Sequence, residues 1–397
     1  MNDSHIAAST GHPAHVREII ARMPTSKIGD VAALGRDNPD VIPLWFGEGD
    51  LTTPDFISEA AMKALKAGQT FYTWQRGIPE LRQAIAEYTT RLYGVECRSD
   101  RITVTSSGMQ AILLSCQTIL DPGDNAVVVS PVWPNIVSAV EAMGSEARQV
   151  PLALEPRGWT LDLDRLFAAC DARTRILFVN SPSNPTGWMM TSDEQSAVLE
   201  FCRKRGIWLM ADEVYARLVY DRDVAPSFLH HARPNDPLIV VQSFSKPWAM
   251  TGWRLGWLTS PHEFGEVLAK VIQFNISGSP AFLQHGALAA IRDGEPFVRQ
   301  MVERCRAGRE QVIQRLAAHR RVRIARPEAA FYAFFAVEGM VDSLAFASRL
   351  VLEGKVGLAP GAAFGQGGEG YLRLCFASAP ERLATAMDRI EGLLEKA

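Results

Sequence analysis

Lys246 and Asp212 are charged residues that directly follow apolar segments, where a protein seldom places a charge. Lys246 comes after the apolar residues 238–242 and stands beside a serine and a proline. An amine that is desolvated among hydroxyl and apolar groups has a lowered pKa and can attack carbonyl groups. Asp212 follows the apolar residues 207–211, so a folded chain must give its carboxylate a cationic partner. Taken singly, a solvated lysine and a helix-capping aspartate would leave the same pattern.

A turn of small residues has the composition of a phosphate site. Ser107, Gly108 and Met109 join the apolar residues 102–105 to a segment with helical spacing. A helix that begins here would offer free N–H groups and its positive dipole end to an anion. An ordinary strand-to-helix turn uses the same residues, so the turn alone leaves both interpretations open.

Two arginines are further candidates for binding anions. Arg254 follows Ser243 and Ser245, and the guanidinium and the two hydroxyls together could bind a phosphate. Arg373 lies within the apolar residues 371–376, where a buried guanidinium needs an anionic partner. That partner is either an internal carboxylate, which is the ordinary case, or the carboxylate of a ligand.

Trp133 and Asn184 could bind a flat, polar ligand. Trp133 could stack on a ring, although an aromatic residue after a strand is also typical of a core. Asn184 lies in a proline-stiffened loop, residues 180–187, and could bind a ligand oxygen or the loop's own backbone. Together, an amine, a buried acid, two phosphate sites, an aromatic ring and a carboxylate-binding arginine predict a pocket for pyridoxal phosphate and an amino acid.

The elements that must position these residues form an alternating pattern. Short apolar runs alternate with helical spacing between residues 102 and 259, which predicts a parallel sheet covered by helices on both faces. Ligands of such sheets bind beyond the carboxyl ends of the strands, where most of the candidate residues lie. The predicted strands are residues 102–105, 126–130, 176–180, 207–211, 238–242 and 255–258.

Helical patterns and a few short strands occupy the rest of the chain. The spacing from Met109 to Ile119 predicts a helix, and a capping box of Thr191 and Glu194 marks the start of another. Beyond residue 280, long helices with two short strands predict a smaller α+β domain. We expect an N-terminal segment that joins this small domain, a large cofactor-binding domain and a C-terminal small domain, over residues 1–50, 51–285 and 286–397 respectively.

The composition excludes several classes of protein. The chain has 397 residues, 47% hydrophobic and 21% charged, which excludes a disordered protein and predicts two or three domains. A net charge of -3 gives no reason to expect a nucleic-acid partner. No apolar run approaches the ~18 residues of a membrane span, and the first residues lack a signal peptide. We therefore expect a cytoplasmic protein without a membrane partner.

The six cysteines are scattered and form no metal-binding pattern. They include no C-x-x-C pair, and no histidine lies near them at the spacing of a metal site. We expect reduced, buried thiols and no bound metal.

Four motifs resemble those of one enzyme family in identity and order. They are SPSNPTG (181–187), ADEVY (211–215), SFSKPWAMTGWRLG (243–256) and YLRLCFA (371–377). From about residue 43 to the C-terminus the chain resembles the class I/II aminotransferases, the aspartate-aminotransferase-like members of fold type I pyridoxal-phosphate enzymes. The resemblance implies a large α/β domain with a mostly parallel seven-stranded sheet between helices, a smaller α+β domain, and pyridoxal 5'-phosphate as the cofactor.

The resemblance also implies roles for individual residues. Lys246 matches the lysine that carries the cofactor as a Schiff base and moves the substrate proton. Asp212 matches the acid paired with the ring nitrogen, Tyr215 and Asn184 match the pair that binds the ring oxygen, and Trp133 matches the stacked aromatic. The residues that would bind the phosphate are Ser107, Gly108, Met109, Ser243, Ser245 and Arg254.

Other matches concern the substrate and a second subunit. Arg373 matches the arginine that holds the substrate carboxylate, with help from Asn184 and the backbone of Gly47. Tyr72 is similar to the tyrosine that reaches the phosphate of the neighbouring subunit, which implies a homodimer.

Two departures from the family pattern concern the substrate. Met109 occupies a position that often holds a small polar residue or a lysine. Residues 273–282 contain no arginine, although some aspartate-specific relatives place one there for the side-chain carboxylate. The missing arginine therefore weakens the prediction that the enzyme is specific for aspartate, without excluding it. Apolar residues expected near the pocket entrance favour apolar or aromatic substrates but are equally good core residues; they are Ile28, Trp45, Phe331 and Phe364.

The function implied by the resemblance is a ping-pong transfer of an amino group from an L-amino acid to a 2-oxo acid, with 2-oxoglutarate as the expected acceptor. The same site could instead run β-elimination or C–S bond cleavage, because nothing in the sequence fixes which Cα bond is broken. An amino-acid sensor in a transcription regulator is a third alternative. The segment before Pro43 is short for a DNA-binding domain, and the net charge is negative, so we expect an enzyme.

Overall fold

The computed structural model describes residues 16–395. Its helices are α1 (Glu18–Ala21), α2 (Lys27–Ala33), α3 (Asp55–Lys66), α4 (Pro79–Tyr93), α5 (Gly108–Ile119), α6 (Asn135–Ala142), α7 (Leu163–Ala168), α8 (Ser192–Arg205), α9 (His262–Asn275), α10 (Ala281–Asp293), α11 (Glu295–Ala318), α12 (Ser343–Leu352) and α13 (Pro380–Leu394). Its strands are β1 (Ile42–Pro43), β2 (Ile102–Thr105), β3 (Asn125–Ser130), β4 (Glu146–Pro151), β5 (Ala153–Glu155), β6 (Gly158–Thr160), β7 (Thr174–Asn180), β8 (Trp208–Asp212), β9 (Leu238–Ser243), β10 (Gly256–Thr259), β11 (Val322–Ile324), β12 (Tyr332–Val337), β13 (Val356–Gly357), β14 (Ala359–Pro360) and β15 (Tyr371–Cys375).

The central sheet has seven strands in the order β2-β10-β9-β8-β7-β3-β4. Strand β10 is antiparallel to both of its neighbours, and the remaining pairs are parallel. The predicted α/β fold with a mostly parallel seven-stranded sheet is confirmed. Each of the six predicted strands corresponds to an observed strand, and their first and last residues differ by at most two positions. The seventh strand, β4, has no apolar run because only one of its six residues is buried.

Helices cover both faces of this sheet, as the continuous apolar strands predict. In β3, Val128 packs in one core cluster with Ile112 of α5 and Leu268 of α9. Its neighbour Val127 points to the opposite face and packs in a second cluster with Leu199 of α8. Successive side chains of a strand alternate between faces, so a strand must be apolar throughout when both faces are covered.

A second, antiparallel sheet has the order β11-β12-β15-β14. Its strands belong to the same part of the sequence as α11, α12 and α13. The N-terminal segment joins this part of the chain, since Ile42 of β1 pairs in parallel with Val356 of β13. The long helices predicted beyond residue 280, at about residues 295–319, 343–353 and 381–396, are confirmed as α11, α12 and α13, although the end expected for the last one lies outside the described residues. The domain boundaries at residues 50 and 285 stay a prediction.

Two local expectations concern helix starts. The capping box that begins α8 is confirmed, because the Thr191 side chain accepts from the Glu194 N–H and the Glu194 carboxylate accepts in return from the Thr191 N–H. The sequence also predicts a weak helix near residues 16–23, but only the four residues of α1 form one, and none of them is buried. A helix this short makes few internal hydrogen bonds and depends on packing that α1 lacks.

Two features are absent from the part of the chain that the structure describes. No helix within residues 16–395 is both long and apolar enough to cross a bilayer. No group of three or more histidine, cysteine or acidic residues in the same part could hold a metal ion. The six cysteines are free and buried.

Candidate active site

A cavity of about 280 Å³ lies at the carboxyl edge of the central sheet. Strand β10 runs opposite to its neighbours, so its first residues meet the last residues of the other strands at this edge. The cavity gathers all of the predicted site residues except Ser107 and Tyr72. Its walls consist of Ile28, Phe46, Gly47, Gly108, Met109, Ile112, Trp133, Asn135, Asn180, Asn184, Asp212, Val214, Tyr215, Ser243, Ser245, Lys246, Arg254, Tyr332 and Arg373.

Lys246 follows β9 and points into the cavity without a counter-ion. Its Nζ donates to the carbonyl oxygen of Gly47 at 2.6 Å and lies 5.8 Å from the ring centre of Tyr215. No carboxylate among residues 16–395 lies within 4.0 Å of it. Burial lowers the pKa of Lys246 from 10.5 to about 8, and the nearby positive charge of Arg373 acts in the same direction. The desolvated amine inferred from the sequence is therefore present.

Asp212 is the last residue of β8 and is buried with a single donor on its carboxylate. Its Oδ1 accepts from the backbone N–H of Val214 at 3.3 Å. Burial raises its pKa from 3.8 to about 7. The helix-cap alternative is wrong, because residues 213–217 form a turn and no α-helix follows before α9. A cationic N–H group in the cavity would give this acid the partner that the described protein lacks.

The start of α5 has the geometry of a turn that could bind an anion. Ser107 is the N-cap of the helix, with its Oγ accepting from the Gln110 N–H at 3.1 Å and with φ at 114°, an unusual value for a residue other than glycine. Gly256, the first residue of β10, packs so closely that an added Cβ would lie 2.6 Å from the backbone nitrogen of Gly108. The unpaired N–H groups of the first turn of α5 point along its axis toward the cavity edge.

The hydroxyl and guanidinium groups of the second anion cluster lie at the same edge. Ser243 ends β9, and its Oγ accepts from the Ser245 N–H at 3.1 Å. Arg254 precedes β10, is exposed, and donates to the carbonyl oxygen of Thr251 at 2.6 Å. Together with the start of α5, these groups form a cradle that fits a phosphate.

Arg373 lies on β15 and is 2% exposed. Its Nη1 donates to Asn184 Oδ1 at 2.9 Å, its Nη2 donates to the carbonyl oxygen of Trp45, and its Nε has no partner. The guanidinium carbon lies 4.6 Å from the ring centre of Tyr332 and 4.9 Å from that of Phe364. Within the described chain no carboxylate lies within 4.0 Å of it, so the expectation of an internal partner is wrong. A buried positive charge with a free donor fits the carboxylate of a ligand.

Tyr332 is a site residue that the sequence analysis did not predict. Its hydroxyl and that of Tyr215 are 2.7 Å apart and hydrogen-bonded. An added Cβ on Gly47 would lie 2.1 Å from the Tyr332 hydroxyl oxygen, so Tyr332 also fixes the path of that backbone. One feature of the sequence could have indicated this role: a tyrosine in a buried strand needs a hydrogen-bond partner for its hydroxyl.

Asn180 is a second residue that was not assigned a role. Its Nδ2 donates to the carbonyl oxygen of Asp212 at 3.0 Å, and its Oδ1 accepts from the Asn184 N–H at 2.7 Å. The carbonyl oxygen of Asn184 accepts from the Trp133 N–H at 3.0 Å. Asn180 therefore fixes the loop that positions Asp212, Asn184 and Trp133, and its place at the end of β7 was a usable signal.

The four apolar residues expected near the pocket entrance have different positions. Ile28 lines the cavity, and Trp45 is buried with its carbonyl oxygen bound to Arg373. Phe331 and Phe364 are buried in the core, the latter beneath Arg373. The alternative of core residues is therefore correct for Trp45, Phe331 and Phe364, which are buried and absent from the cavity lining.

Tyr72 lies away from the cavity of its own chain. It is 93% exposed and lines a surface groove with residues 70–73 and 276–280. Further exposed apolar side chains lie in these segments or within two residues of them: Phe71, Trp74, Phe274 and Ile276.

Comparisons with known proteins agree with this geometry. The family "Aminotransferase class I and II" matches residues 40–390. A probable aspartate/prephenate aminotransferase of Aquifex aeolicus is 34% identical over 94% of this chain and 95% of its own, and an aromatic-amino-acid aminotransferase 2 of Thermococcus litoralis is 33% identical over 94% and 96%. The structure of the aspartate aminotransferase from Thermus thermophilus with maleate superposes with a TM-score of 0.89 at 31% identity, covering 96% of this chain and all of that one. The chain therefore belongs to the class I and II aminotransferases, enzymes that depend on pyridoxal phosphate.

Proposed function

We propose that this protein transfers the amino group of an L-amino acid to a 2-oxo acid, with 2-oxoglutarate as the acceptor, in two half-reactions that use the same cavity in turn. One observation carries this proposal. Arg373 is a buried cation without a counter-ion in the described chain, and it faces the cavity that holds the desolvated amine of Lys246. A guanidinium that can bind a carboxylate beside an amine that can take a proton is the arrangement that an α-amino acid requires.

The residues around the cavity fit pyridoxal phosphate. When bound, this cofactor supplies a ring that withdraws the electrons left at the substrate Cα after a proton is removed. Asp212 would hold the ring nitrogen, Tyr215 and Asn184 the ring oxygen, and Trp133 the ring face. The residues that would hold the phosphate are Ser107, Gly108, Met109, Ser243, Ser245 and Arg254.

Lys246 is the residue we propose as the attachment point of the cofactor and as the group that moves the Cα proton. Its lowered pKa gives a larger fraction of neutral amine near pH 8 than an exposed lysine would have, and only the neutral form accepts a proton. The Gly47 carbonyl oxygen accepts from its Nζ and so aims the amine along the cavity.

Arg373 and Asn184 would hold the carboxylate of the substrate. The carbonyl oxygen of Trp45 and the Asn184 side chain fix the guanidinium, while its Nε is left with no partner. Binding a carboxylate here neutralises a buried charge, so the contact is stronger than one made in water.

We also propose a homodimer in which Tyr72 reaches the phosphate of the neighbouring subunit. The exposed apolar side chains beside Tyr72 support this proposal, since a patch of this kind is typical of an interface. No observation favours the alternative lyase reaction, and the relatives described above are named aminotransferases.

The test is a titration of the purified protein, loaded with pyridoxal phosphate, with a panel of amino acids. We expect the visible absorption band of the bound cofactor to be replaced by the near-ultraviolet band of its aminated form, and 2-oxoglutarate to restore the first band. Lys246→Ala is the control, with an expected loss of turnover of about 10⁴-fold or more, because the nucleophile and the proton carrier are the same group. A protein whose spectrum never responds to any donor, or a variant with comparable turnover, would contradict the proposal.

A further inference from the structure

We propose that the amino donor carries an apolar or aromatic side chain, and that Phe46 and Ile28 form the subsite that receives it. This inference rests on the proposed function and narrows its substrate class.

The charged side chains of the cavity are all used by the proposed function. Three cations line it among the described residues: Lys246, Arg254 and Arg373. The proposed function uses each of them, for cofactor attachment, for the phosphate and for the α-carboxylate. Asp212 is the single acid in the lining and would be paired with the ring nitrogen. The second carboxylate of aspartate lies one methylene from the Cα and would enter the cavity, where no cation among the described residues is left for it. An unpaired carboxylate in an apolar subsite is strongly disfavoured.

A second copy of the chain would not supply the missing cation from the segments around Tyr72. Residues 69–75 and 273–280 contain no lysine or arginine. The nearest arginine in sequence, Arg76, is 6% exposed and its Nη1 donates to Glu266 at 2.6 Å. The segments that we propose to reach the neighbouring site are therefore uncharged.

Phe46 stands between two residues whose backbones contact the site. The preceding residue, Trp45, gives its carbonyl oxygen to Arg373, and the following residue, Gly47, gives its carbonyl oxygen to Lys246. Phe46 thus lies between the group that would bind the α-carboxylate and the group that would reach the Cα. A substrate held at both points must extend its side chain along the wall that contains Phe46.

The surroundings of Phe46 suit an apolar side chain. Its ring lines the cavity, is 37% exposed, and packs edge-on against Trp45 with ring centres 6.1 Å apart. Ile28 of α2 lines the same cavity and is 8% exposed. An aromatic or branched donor would cover both side chains and remove apolar surface from water.

Because Phe46 is half exposed, the second carboxylate of aspartate and that of the acceptor 2-oxoglutarate would lie in different surroundings. The second carboxylate of aspartate is one methylene from the Cα and would lie among the apolar walls. That of 2-oxoglutarate is one methylene farther out, where it can pass Phe46 and remain in water.

The test compares donors in the first half-reaction and, separately, the binding of unreactive acids. We expect L-phenylalanine and L-leucine to aminate the bound cofactor more than about 100-fold faster per molar than L-aspartate, because an unpaired carboxylate is so unfavourable. Calorimetry on the loaded protein should show tighter binding of 3-phenylpropionate than of succinate. Equal or faster amination by aspartate would overturn this inference and leave the proposed function standing. Tight binding of 3-phenylpropionate without amination by any donor would contradict the proposed function instead.

Two variants assign the effect to Phe46. Phe46→Arg adds a cation at the mouth and should raise the ratio of aspartate to phenylalanine by about tenfold or more. The matched variant Phe46→Leu keeps the subsite apolar, so it should weaken 3-phenylpropionate binding while leaving succinate binding unchanged. If neither ratio changes in either folded variant, the side chain lies elsewhere and the assignment of Phe46 is wrong.

Discussion

Two buried arginines of this protein differ in what surrounds them. Arg217 lies in a surface groove beside α4 and α11, is 8% exposed, and its Nη1 donates to Glu295 at 2.9 Å and to the hydroxyl of Tyr88. Arg373 is more deeply buried, and in residues 16–395 it has no carboxylate partner. Burial alone therefore does not distinguish a structural arginine from a binding one, whereas the presence of a counter-ion does.

The same contrast extends to the other charges of the two regions. In the groove, Arg306 also has an acidic neighbour, Glu303, at 3.2 Å. In the cavity, Lys246 binds only a carbonyl oxygen and Asp212 accepts only a backbone N–H. Charges that the fold leaves uncompensated cost stability, and they persist where a ligand supplies the missing partner.

Of the two arginines, the unpaired Arg373 should show the larger effect on catalysis when it is replaced. We expect Arg373→Met to lower kcat/KM for the best donor by about 10³-fold, since it removes a charge-assisted, two-point contact with the carboxylate. Thermal stability should stay the same or rise, because the variant removes a buried charge that has no partner. Steady-state kinetics and thermal unfolding of the cofactor-free protein measure both. If the variant loses stability but keeps its kinetics, Arg373 is a structural arginine and its assignment as a binding residue is wrong.

The paired arginine should behave in the opposite way. We expect Arg217→Met to lower the free energy of unfolding by about 1–3 kcal/mol, because it breaks an ion pair between a buried arginine and the half-buried Glu295 and leaves the Tyr88 hydroxyl without its donor. The value of kcat/KM should remain within about twofold of the original, since the groove is separate from the cavity lining. Denaturant unfolding and the donor assay check the two parts, and a large kinetic defect in a folded variant would contradict the assignment.

The smallest expected effect concerns the unpaired acid and depends on pH. Burial raises the pKa of Asp212 from 3.8 to about 7, so folding disfavours its ionised form. This penalty is absent below pH 3.8, where the acid is protonated in both states, and is complete above about pH 7. In the cofactor-free protein we expect Asp212→Asn to raise the unfolding midpoint by about 3 °C near pH 8 and by less near pH 5.

The control for this prediction is the same variant loaded with pyridoxal phosphate. Bound cofactor supplies a cationic N–H to the acid, so the original protein should gain more stability from loading than Asp212→Asn does. A variant that is stabilised equally at both pH values would show that the ionisation of Asp212 is not the cause.

Much of the fold could be predicted because each buried strand carries its own apolar run. The six runs were sufficient to predict the central sheet, and the residues just after them led to Lys246, Asp212 and Asn184. Strand β4 at the sheet edge was missed, because its residues are largely exposed and any polar sequence can occupy such a position. The direction of β10 was also not predicted, since strand periodicity is the same for parallel and antiparallel pairing.

The site was less predictable wherever a role depends on contact between distant parts of the chain. Tyr332 acts through the hydroxyl of Tyr215, which is 117 residues away in sequence. The carbonyl oxygen of Trp45 binds Arg373 from the other end of the chain. No local pattern records such a contact.

The sequence by itself determined the family, the cofactor and the strand ends that carry the chemistry, because these depend on residue types in local order. Only the tertiary structure decided that Arg373 and Lys246 have no counter-ions in the described protein and that Phe46 lies between them. A residue's partners depend on which segments meet in space, and that meeting is set by packing rather than by neighbours in the chain.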